Sequence, residues 1–262
     1  MHLLQRLDKK ARRGSKPRCH WLTHGERTLV ASRLTKLGEP WATVSEEDYW
    51  MPDGFRHPGE ACLDKAAGLL PHNVRLTLRD WWLAHWRGAM TPTFDIATTC
   101  TVEGEVGLIL VEAKAHTEEL NNEVAGKDLK PSARPNQIRN HQQIGKRIEE
   151  ASFSLTNFTG IPWKLSRDRC YQMSNRLAWS WKLTDLGYPV ILVYLGFLNA
   201  NEMRDRGAPF ANHADWEVLV KMHSRPIVPD NVWGIRWDIH HHALVPCIRS
   251  LETPFDAPIE EA

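Results

Sequence analysis

The chain has 262 residues, and its 42% hydrophobic and 25% charged content is ordinary for a soluble globular protein. Because 33 Lys and Arg residues balance 32 Asp and Glu residues, the net charge of +1 gives no support for a polyanionic partner. The five cysteines are widely spread and form no CxxC pair. This pattern argues against a disulfide framework or a four-cysteine zinc site and favours a reducing cytoplasm.

The apolar runs bear on location and domain organisation. The Leu3-Leu4 pair is too short for the apolar region of a signal peptide, and no run of about 18 apolar residues occurs, so we expect neither secretion nor a membrane span. We predict a basic arm, helix and loop over 1–59, a core over 60–200, and a C-terminal embellishment packed on that core over 201–262.

The first third of the chain begins with a basic segment. Residues 5–18 carry seven Lys and Arg residues against Asp8 alone and show no periodicity, which predicts an arm that either contacts phosphate or is a solvated tail. A helix is expected near 26–37. The segment 39–60 is dense in proline, glycine and acidic residues and predicts a loop.

The remaining elements indicate an α/β fold with a central mixed sheet flanked by helices. Two β-branched and aliphatic runs around Glu103-Gly104-Glu105 predict a hairpin, and the apolar run at 190–198 predicts a strand buried on both faces. The predicted elements are helices at 60–70 and 76–86, the hairpin strands 93–102 and 106–115, helices at 136–151 and 168–186, the strand 190–198, a short helix at 216–222, and strands at 232–239 and 243–248.

The hairpin brings charged residues together. Glu112 and Lys114 are two apart on a strand, so they project from the same face. A two-residue turn would pair Val102 with Glu105, and counting back along both strands then places Asp95 directly opposite Glu112. Two carboxylates on an aliphatic face repel unless they are neutralised, and a divalent cation such as Mg²⁺ would do so.

This arrangement resembles the PD-(D/E)xK phosphodiesterases, the restriction-endonuclease-like superfamily, through Asp95 and the Glu112-Ala113-Lys114 triplet. In that family a helix precedes the hairpin, another follows the ExK strand, and a further strand joins the sheet. Here those elements would be 60–86, either 136–151 or 168–186, and 190–198. Only 86–91 is available as a strand ahead of Asp95.

The resemblance implies a Mg²⁺-dependent nuclease, with Mn²⁺ able to substitute, DNA favoured over RNA and endonuclease action over exonuclease action. Asp95, Glu112 and the main-chain carbonyl of Ala113 would hold the metal ion, which would polarise the phosphate and activate water. Lys114 would orient or deprotonate the attacking water. The rival hypothesis is a non-catalytic nucleic-acid-binding or assembly protein on the same fold. A homodimer is left open.

Accessory candidates lie mainly on the predicted helix 136–151. Its inward stripe begins polar and ends apolar, so its first turn either faces the metal ion and phosphate or is simply solvated. A glutamine on this helix would fit the family. The candidates are Gln137, Asn140, His141 and Gln143, together with Glu60 as a third carboxylate or a plain helix-start acid, and Lys146 and Arg147 as phosphate contacts or solvated charges.

Two histidine patterns raise a zinc alternative. These are Cys19-His20 with His24, and the consecutive His240-His241-His242. Consecutive residues on a strand point to opposite faces, and no cysteine pair lies nearby, so surface or structural histidines are the preferred interpretation. The twelve tryptophans are assigned to core packing rather than to base stacking.

Overall fold

A six-stranded mixed sheet lies at the centre of the protein, whose computed structural model describes residues 3–253. The strands are β1 Trp50–Met51, β2 Ala61–Cys62, β3 Thr93–Phe94, β4 Ile96–Val102, β5 Glu105–Lys114, β6 Val190–Phe197, β7 Trp237–Ile239 and β8 His242–Leu251. The helices are α1 Ser15–Leu22, α2 Arg27–Gly38, α3 His72–Trp82, α4 Thr117–Asn121, α5 Pro135–Thr159, α6 Tyr171–Asp185 and α7 His213–Ser224. The strand order in the main sheet is β1-β4-β5-β6-β8-β7.

The predicted hairpin is confirmed together with its register. β4 and β5 are antiparallel, and Val102 pairs with Glu105. Between them Glu103 (φ 51°) and Gly104 (φ 88°) both adopt the left-handed conformation, as a type I′ turn requires. The glycine pays little for this conformation because it has no Cβ. The two-residue turn therefore sets which side chains face each other along the whole hairpin.

Successive strand residues point to opposite faces of the sheet. Because both faces carry apolar side chains, helices cover both of them. Val111 and Ile191 pack with α1 and α2 on one face, whereas Leu110 and Leu192 pack with α3, α5, α6 and α7 on the other. β6 is buried throughout, as predicted, and it runs parallel to both β5 and β8. Several tryptophans fill the core on the face that α3, α5, α6 and α7 cover. The fully buried ones are Trp82, Trp179 and Trp216.

Residues 5–18 do not form a free basic arm, so that prediction was wrong. α1 begins within the segment, and Arg18 is 2% exposed, with its Nη2 donating to Glu202 Oε2 over 3.0 Å. Arg13 pairs with Asp205 in the same way at the surface. The sequence pattern could not reveal this because the acidic partners lie more than 180 residues away.

Three predictions before the hairpin also need correction. Residues 60–70 contain the short strand β2 and turns rather than a helix, and β2 pairs with β3. The segment 86–91 is not a strand. Instead β1, inside the predicted loop 39–60, pairs antiparallel with β4 and lies at the edge of the main sheet. Two-residue strands carry too little periodicity to be recognised from sequence.

The C-terminal segment is part of the core sheet. Within 201–262, predicted as an embellishment, β8 lies between β6 and β7 and is an interior strand. Residues 1–2 and 254–262 of the predicted boundaries lie outside the described residues. Among the described helices, none is both long and apolar enough to cross a membrane. The predictions confirmed in type and approximate position are the helices α2, α3, α5, α6 and α7 and the strands β6, β7 and β8.

A matched pair of glycine substitutions tests the turn. A Cβ added to Gly104 would contact nothing within 4 Å, so Gly104→Ala carries only the backbone penalty of a positive φ, and we expect a loss of about 1 kcal/mol in unfolding free energy. Gly59 is equally open but has no positive φ, so Gly59→Ala should be neutral or slightly stabilising. Urea unfolding measures both variants, and equal effects would contradict the type I′ assignment.

Candidate functional site

Asp95 lies where the chain changes its pairing partner. Before it, β3 pairs with β2; after it, β4 pairs with β5. The Asp95 N–H donates to Val111 O over 3.0 Å, and the Ala113 N–H donates to the Asp95 carboxylate Oδ2 over 2.8 Å. Asp95 immediately precedes Ile96, which pairs with Val111, so the next step of the register places Asp95 opposite Glu112, as predicted.

Glu112 is a buried carboxylate, 2% exposed, with both oxygens occupied. Oε1 accepts hydrogen bonds from Lys114 Nζ and Gln172 Nε2, each over 2.6 Å, and Oε2 accepts one from Arg176 Nε over 2.6 Å. Burial raises the pKa of Glu112, but the charges of Arg176 and Lys114 outweigh this effect and hold it below its usual range. In this structure Arg176 and Lys114 neutralise the charge of Glu112, for which the sequence predicts a metal ion.

Lys114 lies between two carboxylates. Its Nζ is 2.6 Å from Glu112 Oε1 and 2.6 Å from Oε1 of the buried Glu123, which follows α4. Burial lowers the pKa of Lys114, but Glu112, Glu123 and Asp95 outweigh this effect and raise it above its usual value. An ammonium held in this way keeps its proton, which favours an orienting role over the alternative of deprotonating water.

The structure brings Glu60 to Asp95, although Glu60 is not on a helix. β2 pairs Ala61 with Phe94, and the next step along this register places Glu60 beside Asp95. Glu60 accepts hydrogen bonds from Lys16 Nζ and Thr93 Oγ1, each over 2.9 Å. Burial raises the pKa of Glu60, but these two donors outweigh it and lower the pKa.

Asp95 is the carboxylate that lacks a cation. Among the described residues, no Lys, Arg or His lies within ion-pair distance of it. Burial and the charge of Glu112 raise the pKa of Asp95 to about 7; Lys114 and the Ala113 N–H oppose this rise, and Glu60 adds to it. The site therefore favours either a proton or a bound cation at Asp95.

The polar candidates on α5 are used elsewhere. Gln137 Oε1 accepts the Arg134 N–H at the start of α5, and Gln143 donates to Trp81 O. Asn140 pairs with the main chain of His85, whereas His141 Nε2 lies 2.7 Å from Lys127 O. In the part of the chain that the structure describes, none of these four side chains hydrogen-bonds to Asp95, Glu112 or Lys114.

The two cations proposed as phosphate contacts differ. Arg147 donates to Trp81 O and pairs with Glu150, so it fastens α5 to the end of α3. Lys146 is exposed.

The glutamine that reaches Glu112 is on α6. Gln172 and Arg176 are four residues apart, so they share one face of α6 and both point at Glu112. The sequence contained a weak signal for them, a polar pair on the buried face of an apolar helix. Nothing in the sequence pointed to Glu123. Tyr194, paired with Glu112 across β5 and β6, adds a buried hydroxyl with no hydrogen-bond partner among the described residues.

The donor set fits Mg²⁺ only in part. No group of three or more His, Cys, Asp and Glu side chains within residues 3–253 is arranged to hold a metal ion. Mg²⁺ however uses one or two carboxylates together with water and substrate phosphate oxygens rather than an all-protein cage. Asp95 fits that role as it stands. Glu112 fits it if Arg176 or Gln172 releases one of its oxygens.

The histidine patterns have structural positions. His240 and His241, both with positive φ, form the two-residue turn between β7 and β8. His242 Nδ1 lies 3.0 Å from Glu105 Oε2. Cys19 and His20 are buried on α1.

Two isosteric substitutions are expected to change stability in opposite directions. Because the pKa of Asp95 is raised on folding, ionising this carboxylate destabilises the folded protein. The destabilisation is complete above pH 7 and nearly absent below about pH 4. Asp95→Asn should therefore raise Tm at pH 8 by several degrees, or about 1–2 kcal/mol, and much less at pH 4.5. Glu112→Gln leaves Arg176 and Lys114 without their buried partner and should cost about 3–5 kcal/mol. Thermal unfolding at both pH values measures these changes in stability. An Asp95→Asn variant that is less stable than the wild type at pH 8 would refute the raised pKa of Asp95.

Comparison with known proteins gave no match. The chain matches no protein-family model, no curated protein and no solved structure. Its function must therefore be inferred from the residues of the site: the uncompensated Asp95, the buried Glu112 and the Lys114 beside it.

Proposed function

We propose that this protein is a Mg²⁺-dependent nuclease with a restriction-endonuclease-like core. The observation that carries the proposal is a buried Glu112 and Lys114 on one strand end, opposite Asp95, which has no Lys, Arg or His within ion-pair distance in the described part of the chain. The element order also supports it. α2 precedes the antiparallel strands β1, β4 and β5, and the connection from β5 to the parallel β6 contains the helices α4, α5 and α6.

Each residue has a distinct role in this proposal. Asp95 and Glu112 would hold the cation together with the Ala113 carbonyl, and the cation would supply Lewis-acid stabilisation of the phosphate and a more acidic water. Lys114, protonated, would orient the nucleophile and offset negative charge that grows on the phosphate. Arg176 would hold Glu112 when the cation is absent. DNA is the preferred substrate, and endonuclease action the preferred mode.

The second candidate is a non-catalytic nucleic-acid-binding or assembly protein on the same fold. The observation that favours it is the full occupancy of Glu112 by Lys114, Gln172 and Arg176. If that network never opens, the carboxylate has no free oxygen for a metal ion. The two candidates therefore differ in one property, whether Glu112 is available to a cation.

Cleavage assays separate them. The substrates are single-stranded and double-stranded DNA and RNA. We expect the wild type to cut DNA in Mg²⁺ or Mn²⁺ and not in EDTA. Asp95→Asn should reduce the rate about 100-fold or more, because it removes a metal ligand while preserving shape and fold. The exposed Asp80→Asn on α3 is the control of equal charge change and should retain the wild-type rate. A wild type that cuts none of the substrates, or an Asp95→Asn variant as active as the control, would defeat the nuclease proposal.

Metal binding has its own readout. A ligand at 100 times its Kd stabilises a folded protein by about 2.7 kcal/mol, which for this chain corresponds to roughly 5–10 °C in Tm. Mg²⁺ or Mn²⁺ should therefore raise the Tm of the wild type and leave that of Asp95→Asn unchanged, with ionic strength matched by KCl. Equal shifts in both proteins would place the bound ion elsewhere.

A further inference from the structure

A cleft of about 620 Å³ lies between the loop that follows α3 and the loop that precedes α5. One wall is basic and the other apolar, so the two differ in the kind of ligand group that they suit. The residues of the basic wall are Lys127, Lys130 and Arg134, with Asp128 as the opposing charge; those of the apolar wall are Leu83, Gly88, Ala89 and Met90.

Two lysines of the basic wall have no ion-pair partner among the described residues. Neither Lys127 nor Lys130 forms an ion pair with any residue in the described range 3–253. Lys127 is partly buried against the Tyr171 ring, 4.8 Å from its centroid, and burial lowers its pKa. A partly buried ammonium without an anion is a position where a phosphate would be stabilised.

The apolar wall is aliphatic, and the loop that forms it also carries Trp86, which is outside the residues that line the cleft. Met90 is 80% exposed, and Trp86 in the same loop is 49% exposed. The Arg79 guanidinium lies 4.7 Å from the Trp86 ring, which holds that ring in place. A wall of this kind suits the faces of unpaired bases, whereas a basic groove follows their backbone.

Adjacent residues of α5 fix the two walls. Asn140 accepts the His85 N–H and donates to His85 O, each over 2.7 Å, and so holds the apolar loop. His141 contacts Lys127 O over 2.7 Å and holds the basic loop. The polar first turns of α5 therefore shape the cleft rather than the carboxylate site.

The cleft begins close to the carboxylate site. Glu123 contacts Lys114, and Lys127 is only four residues further along, at most about 14 Å of extended chain. The segment between them is held against α6, where the Tyr171 N–H donates to Ala125 O over 3.2 Å. The cleft entrance is therefore only a short stretch of chain away from Lys114.

We propose that this cleft binds an unpaired nucleic-acid strand next to the site, with backbone phosphates on Lys127 and Lys130, one base against Met90, and the next base on Trp86 of the same loop, outside the cleft lining. The cleft volume is in the range of pockets for small organic ligands, which suits one or two nucleotides but not the width of a duplex. The proposal rests on the proposed nuclease function and names its substrate form. DNA that presents an unpaired strand would then be preferred over continuous duplex.

Binding in EDTA tests the proposal without cleavage. The probes are a fluorescein-labelled oligo(dT) 15-mer and a 15-base-pair duplex. We expect the wild type to bind the single strand at least tenfold more tightly, and Lys127→Ala/Lys130→Ala to lose at least tenfold of that affinity. The slope of log K against log salt concentration should fall by about 1.4, since each phosphate contact on a single strand contributes about 0.7. Trp86→Leu should weaken single-strand binding about fivefold or more.

The control is Lys36→Ala/Lys164→Ala, which removes the same charge from two exposed lysines that do not line the cleft and should change affinity less than twofold. Unchanged binding by the Lys127→Ala/Lys130→Ala variant would overturn the proposal. Equal affinity of the wild type for the duplex and the single strand would also overturn it. So would poly-L-glutamate that displaces the labelled oligo(dT) as well as unlabelled oligo(dT) does. A cleft variant that loses binding while the wild type cuts nothing in Mg²⁺ would support the cleft and defeat the nuclease; wild-type cutting with unchanged single-strand binding in the variant would do the reverse.

Discussion

The burial of the Glu112 carboxylate is the constraint on which the rest of the site depends. A buried carboxylate is tolerated only if its charge is neutralised and its oxygens are hydrogen-bonded. Arg176 and Lys114 provide the charge, and Gln172 adds a third donor. Because two of these donors lie on α6, the same contacts fix that helix across the sheet. Structural support and candidate chemistry therefore share one set of atoms.

This network leaves the site with unequal carboxylates. Glu112 is held ionised by its two cations, and Glu60 by Lys16, whereas Asp95 has no cation partner within residues 3–253 and its pKa rises to about 7. Such an imbalance costs stability in the absence of a ligand, which is common where binding or catalysis requires it. A cation at Asp95 would remove the imbalance. The raised pKa of Asp95 beside the buried Glu112 is thus the strongest physical support for a metal-dependent function.

Local patterns in the sequence predicted the centre of the fold well. The turn at 103–104, the period-two hairpin strands and the apolar run at 190–198 depend on neighbours in the chain, so register and burial followed from them. The two-residue strands β1 and β2 carry no period and were missed. The placement of Asp95 beside Glu112 followed from the register alone.

The partners of the site could not be predicted in the same way. Gln172 and Arg176 contact Glu112 across 60 and 64 residues, and the polar pair on α6 does not by itself indicate which residue it contacts. The sequence therefore favours a glutamine on α5, but the polar residues of that helix shape the cleft instead. For the same reason the sequence predicts an arm for the N-terminal basic segment, whereas Arg18 pairs with Glu202 in the structure.

Whether Glu112 releases its cations to accept a metal ion is decided most directly by locating the ion. Crystals soaked in Mn²⁺ and measured at the manganese absorption edge would show its position by anomalous scattering. We expect one ion bound to both Asp95 and Glu112, with Arg176 or Gln172 moved off the carboxylate. An ion bound elsewhere, or a Glu112 still held by Lys114, Gln172 and Arg176 at saturating Mn²⁺, would contradict the metal-dependent account.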